Sequence, residues 1–120
     1  MRRILFLSMA VKCLLGADGS ADAHAFLLKS EPVVGAVTAP PKTVRLEFSE
    51  AVELMFSGIE VDSAAGSTVN TAAIHYDSGN WKIMIADLPP LPSGMYRVKW
   101  HVVSVDTHRT EGDFNFTVKP

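Results

Sequence analysis

The chain has 120 residues, 48% hydrophobic and 20% charged, with a net charge of −2 and a single cysteine. That length suits one domain and is short for two. No basic patch marks a nucleic-acid surface, and no run of like charge or low-complexity tract marks a disordered tail.

The amino terminus reads as a leader. Met1-Arg2-Arg3 precedes the apolar run Ile4–Val11, and Ala21-Asp22-Ala23 supplies a small-x-small triplet. This pattern predicts a secretory signal peptide over residues 1–23, cleaved after Ala23, although Lys12, Asp18 and Asp22 depart from the usual form. The apolar run is much shorter than the ~20 residues of a spanning helix, so a membrane-embedded chain is not expected. Cys13 follows Ala10-Val11-Lys12, a poor context for lipid attachment. Cleavage leaves one domain, 24–120. With 3 of 11 basic and 2 of 13 acidic residues gone, it keeps 8 basic against 11 acidic side chains and no cysteine. Such a domain must be held by packing alone. It cannot build a blue-copper centre or a Cys-rich zinc module, since both need thiolates.

Cleavage after Ala23 also makes His24 the first residue, so that one residue carries both a free α-amine and an imidazole. The amine titrates near ~7.7–8.0, and a metal can displace its proton near neutral pH. Neutral nitrogens of this kind suit tetragonal Cu(II), which tops the divalent affinity order. A histidine fraying in solvent at the cleavage point is the plainer alternative.

Next come a short strand from Ala25 to Glu31, stopped by Pro32, and a proline-punctuated loop over 33–42. Val44, Leu46 and Phe48 alternate with Arg45, Glu47 and Ser49, predicting a strand that ends at Glu50. Leu54 to Val61 predicts a third strand, with Gly58 as a bulge. A turn over 62–67, strand-like segments at 68–69 and 72–76, and a hairpin turn at Asp77-Ser78-Gly79-Asn80 lead into Trp81–Ile85. Leu88 to Gly94 is a loop.

The stretch Met95–His108 carries the strongest pattern. Tyr96, Val98, Trp100 and Val102 share one face, and Arg97, Lys99, His101 and Val103 the other. It runs into Asp106-Thr107-His108, a carboxylate and an imidazole two residues apart, which extended geometry aims the same way. Alone, such a triplet is most often a polar turn. Phe114, Phe116 and Val118 close the chain with a last alternating strand. Seven to nine short strands without a helical stretch predict an all-β, Greek-key, immunoglobulin-like β-sandwich or barrel. Phe48, Tyr96, Trp100, Phe114 and Phe116 are the expected core, and Trp81 is expected to be structural. A metal site shared by His24 and the Asp106–His108 pair demands that the first strand begin beside the 106–108 loop.

Two long motifs resemble the CopC family of periplasmic copper-resistance proteins. One is His24-Ala25-x-Leu27-x-x-Ser30-x-Pro32-x-x-Gly35 with Pro40-Pro41-x-x-Val44-x-Leu46-x-Phe48-Ser49-Glu50. The other runs Gly94-x-Tyr96-x-Val98-x-Trp100-x-Val102-x-Ser104-x-Asp106-x-His108-x-x-x-Gly112-x-x-x-Phe116-x-Val118. The resemblance implies a monomeric periplasmic β-sandwich that binds one Cu(II) per chain. His24 (amine and imidazole), Asp106 and His108 would be the ligands. Glu50 would lie near the ion in an outer-sphere role, beside the alternative of an ordinary strand-end carboxylate.

Some relatives carry a second, Cu(I) site in a methionine-dense loop. Here Met55, Met84 and Met95 are far apart in sequence, and core packing is expected for them. His75 has no obvious partner and His101 lies on a polar face, so neither is expected to bind metal. The implied role is a non-enzymatic copper carrier or buffer, with an inner-membrane copper transporter as a possible partner. Two other functions are weighed against it, a histidine-brace copper redox enzyme and a metal-free immunoglobulin-like interaction module.

Overall fold

Alternating apolar residues build the two sheets of the sandwich. The computed structural model describes residues 25–120. The expected leader 1–23, its cleavage triplet and His24 lie outside the described residues. The strands are β1 (Leu27–Glu31), β2 (Val37–Thr38), β3 (Thr43–Phe48), β4 (Gly58–Ser63), β5 (His75–Asp77), β6 (Asn80–Asp87), β7 (Gly94–Val103) and β8 (Arg109–Val118). One sheet runs β1-β3-β6-β5 and the other β2-β8-β7-β4. Neighbours pair antiparallel except β2, which lies parallel to β8. The first sheet has the ABED order of an immunoglobulin constant-type sandwich, as the predicted fold class requires.

The core lies where the inward positions meet. Val44, Leu46 and Phe48 of β3 and Met84 and Ala86 of β6 face Tyr96, Val98 and Val102 of β7 and Phe114, Phe116 and Val118 of β8. Each large side chain buried this way contributes roughly 1.5–3 kcal/mol, the main stabilisation open to a domain without disulfides. Trp100 meets Phe48 edge-on at 5.2 Å, and Tyr96 stacks on Phe116 at 5.5 Å. The Tyr96 hydroxyl donates to the Pro92 carbonyl at 2.6 Å, pinning the proline loop to the start of β7 as a tyrosine corner does. The free edge of β4 is covered by Asn70, whose amide accepts from Val61 N–H (2.7 Å) and donates to the Ile59 carbonyl (2.8 Å). That contact removes a template for strand addition. No helix among the described residues is long and apolar enough to cross a membrane.

Several local expectations change. The predicted strand 54–61 is a 3₁₀ turn, Leu54–Phe56, followed by β4. The Tyr76 hydroxyl accepts from Leu54 N–H (3.0 Å) and donates to the Val52 carbonyl (2.7 Å), drawing this segment out of the sheet. Gly58 is not a bulge, because its register opposite His101 is regular. Instead the His101 ring lies over it, and an added Cβ would come within 2.6 Å of Cε1. The loop 33–42 contains β2, and of the segments 68–69 and 72–76 only residues from His75 onward join a strand. The hairpin turn holds, with Ser78 and Gly79 both at positive φ as a type I′ turn needs.

Core packing accounts for Met84 alone, since Met55 (85% exposed) and Met95 face solvent. Trp81 is half-exposed and stacks on Tyr76 at 5.5 Å. His75 does have a partner, the Asp87 carboxylate at 3.3 Å. The hydrogen bond to Asp87 raises the His75 pKa above its ordinary value, with the Tyr76 carbonyl adding to it.

Gly112 packs against Trp100, and an added Cβ would stand 2.7 Å from ring carbon Cζ2. Gly112→Ala is therefore expected to destabilise the fold by about 1–3 kcal/mol in urea melts; an unshifted midpoint would show that the ring yields freely. The His75–Asp87 pair stabilises only while the imidazole is charged. Its contribution is complete below the unfolded histidine pKa of about 6.5 and fades as pH rises through the raised folded value. His75→Gln is thus expected to lower the urea midpoint more at pH 5 than at pH 8, and equal losses at both would contradict this.

Candidate metal centre

The turn between β7 and β8 presents Asp106 and His108 together. Ser104 N–H donates to the His108 carbonyl (2.9 Å), and Thr107 N–H donates to the Ser104 carbonyl (2.8 Å). Closing so short a turn takes Thr107 into the left-handed region at φ +73, where a β-branched residue is strained. The result is a distance of 3.3 Å between His108 Nδ1 and Asp106 Oδ1, with both side chains about half-exposed.

Ser104 is the organiser of this turn. It is only 1% exposed, donates its hydroxyl to the Asp106 carboxylate and accepts from His108 N–H at 3.3 Å. The hydrogen bond from Ser104 holds the Asp106 carboxyl below its ordinary pKa, and His108 adds to the effect. The turn thus offers an ionised oxygen donor beside an imidazole, a pair suited to a divalent cation. Among the described residues, no group of three or more His, Cys, Asp or Glu side chains could hold a metal ion.

Two other segments converge on the same end. Residues after β3 run alongside the turn: Val52 bridges to Ser104, and Val105 N–H donates to the Ala51 carbonyl at 3.1 Å. This brings Glu50, exposed at the end of β3, to the end that carries Asp106 and His108. The chain also enters the described fold there. Thr110, two positions past His108, donates its hydroxyl to the Ala25 carbonyl at 3.0 Å. Phe26 pairs with Ser49 through both backbone groups, donating to Oγ (2.8 Å) and accepting from Ser49 N–H (2.9 Å). Asp106, His108, Glu50 and the entry at Ala25 therefore share one end of the sandwich, while His24 lies outside the described residues.

The family model for the CopC domain matches residues 27–119. The chain belongs to the CopC family. Protein YobA of Escherichia coli (strain K12) is 40% identical over 119 residues, covering 98% of this chain and 96% of that one. The crystal structure of CopC from Methylosinus trichosporium OB3b superposes with a TM-score of 0.75 at 35% identity, covering 81% of this chain and 95% of the other. PcoC, described as a methionine-rich copper resistance protein from Escherichia coli, superposes at 0.73 and 35% identity, covering 81% and 100%.

In this CopC-family chain the sequence motifs contain Ser49 and Ser104 without disclosing their work, and Thr110 falls at an unassigned motif position. A serine two residues before an aspartate is the available local signal for Ser104, since such side chains commonly close turns. Nothing local marks Thr110, whose partner is 85 residues away. Ser104→Ala is expected to cost about 1–2 kcal/mol in urea melts and to speed amide exchange at His108, because the buried bonds it closes have no substitute. A wild-type exchange rate at His108 would show that the backbone alone sets the turn.

Proposed function

We propose that this CopC-family chain is a periplasmic Cu(II)-binding protein that carries or buffers one copper ion. The ligands in this reading are the α-amine and imidazole of His24, the imidazole of His108 and the carboxylate of Asp106. Glu50 serves outside the first ring of ligands, accepting a hydrogen bond from an amine or a bound water. The leader 1–23 directs export, and its removal frees the amine.

The observation that carries this reading is the Thr110–Ala25 hydrogen bond. It fixes the entry of the chain two residues from His108, and one peptide bond separates Ala25 from His24. Two donors on the turn and two from one terminal residue complete a four-donor set of nitrogen and oxygen, which favours Cu(II). The methionines do not favour Cu(I), because Met84 is buried in the core while Met55 and Met95 sit on separate elements. Copper is cargo here. A carboxylate on the ion occupies a position that oxygen chemistry needs open, so binding rather than catalysis follows. A membrane copper transporter is the recipient in this scheme.

The decisive experiment is copper titration of the exported protein, with its first residue read from intact mass. One Cu(II) per chain is expected on protein beginning at His24. His24→Ala and His108→Ala should each weaken binding by more than about 100-fold, and Asp106→Ala less, because water can replace a carboxylate oxygen. Placing one glycine before His24 should weaken it as well, by converting the amine to an amide. Wild-type affinity in His108→Ala, or an exported protein beginning elsewhere, would overturn the assignment.

A further inference from the structure

The amino-terminal arm is held by side-chain hydroxyls from both sheets. Thr110 belongs to β8 in the β2-β8-β7-β4 sheet, and Ser49 directly follows β3 in the other. Thr110 pairs in register with the buried Val102, so its side chain lies on the inward face of β8 at the mouth of the sandwich. From there its hydroxyl reaches the Ala25 carbonyl at 3.0 Å. On the facing sheet Ser49 Oγ accepts the Phe26 amide at 2.8 Å, and Ser49 N–H donates to the Phe26 carbonyl at 2.9 Å. Between these anchors the Ala25 methyl is packed in the core, 1% exposed. Two consecutive residues are thus fixed by one apolar and three polar contacts.

We infer that Thr110 and Ser49 form a clamp that positions the amino-terminal metal-binding arm, with Thr110 as the positioning residue that sets its distance from the Asp106–His108 turn. This rests on the copper site proposed above. A flexible arm would have to be ordered by the ion at each binding event, and that ordering would be subtracted from the affinity. A clamp made of protein hydrogen bonds completes the ordering during folding. Consecutive Cα atoms across a trans peptide are ~3.8 Å apart, so fixing Ala25 fixes the point from which the arm starts. Thr110 is suited to the task because it stands on β8 two positions past His108, which directly precedes that strand, giving arm and turn a common support. Neither hydroxyl is a ligand in the proposed site; each acts through the backbone it holds.

The test compares wild type, Thr110→Val and Thr110→Ser, all beginning at His24. Amide exchange at Phe26 is followed without metal, and Cu(II) release to a chelator is timed. Thr110→Val keeps the β-branched shape while removing the donor. It is expected to speed both Phe26 exchange and copper release about 3- to 10-fold, the worth of one hydrogen bond, while the chain stays folded at the assay temperature. Thr110→Ser is expected to restore both rates. Copper release at the wild-type rate in Thr110→Val would overturn the clamp. Should Thr110→Val fail to fold at that temperature, Ser49→Ala is read in its place, and again wild-type release would overturn it. If wild type itself fails to hold copper, the site reading falls, while metal-free exchange at Phe26 still decides whether Thr110 holds the arm.

Discussion

A carbonyl at residue 25 and an amide at residue 26 are gripped from opposite sheets, and the geometry of the candidate centre depends on this crossing. A sandwich has two open ends, and a strand at the edge of one sheet has no inherent reason to approach the last strand of the other. Here the described residues enter at the mouth, pass Thr110 and Ser49, and only then become β1. On the proposed reading, Asp106 and His108 without that crossing would be a polar turn like many others. With it, the polypeptide enters the fold beside them.

The turn itself is a balance of strain and satisfaction. Thr107 holds a backbone conformation that costs energy for a β-branched residue. The compensation comes from Ser104, whose backbone closes the turn at both ends and whose hydroxyl serves the Asp106 carboxylate and the His108 amide. The buried Ser104 hydroxyl is fixed in place, and its hydrogen bond, with His108 adding to it, keeps the half-exposed Asp106 carboxylate ionised. A carboxylate and an imidazole are therefore presented as donors by the fold, before any ion arrives.

How much of this was legible in the sequence follows from how local each signal is. The alternation of β7 and β8 needs only neighbouring residues, and both strands and the inward faces of Tyr96, Val98, Phe114 and Phe116 follow from it. The 3₁₀ turn at Leu54–Phe56 was illegible because Leu54 and Phe56 keep a period-two spacing of their own, and the shift of phase to Ile59 and Val61 reads equally as a bulge at Gly58. What removes it from the sheet is the Tyr76 hydroxyl, 22 residues from Leu54. The two-residue β2 exists only through pairing with Thr117 and Val118. His75 finds Asp87 only because the β5–β6 hairpin brings them together. At the centre, the spacing of Asp106 and His108 was readable, and so was the placement of His24 after a small-x-small triplet. That Ala25 lies beside them is a property of strand order, and a period-two pattern carries no information about which strands become neighbours.

On the proposed reading, fold and processing divide the labour. The described residues assemble just two adjacent donors, too few for a tight site on their own. The remaining donors, on the proposed reading, come from a residue whose amine is an amide until a peptide bond is cut. The arm preceding β1 is fixed by Thr110, Ser49 and the buried Ala25 methyl, none of which depends on that cut. Folding can therefore finish the scaffold in either form, while only the trimmed form offers the terminal nitrogen. Such an arrangement would keep affinity for copper low until the leader has gone, and it needs no conformational change to do so.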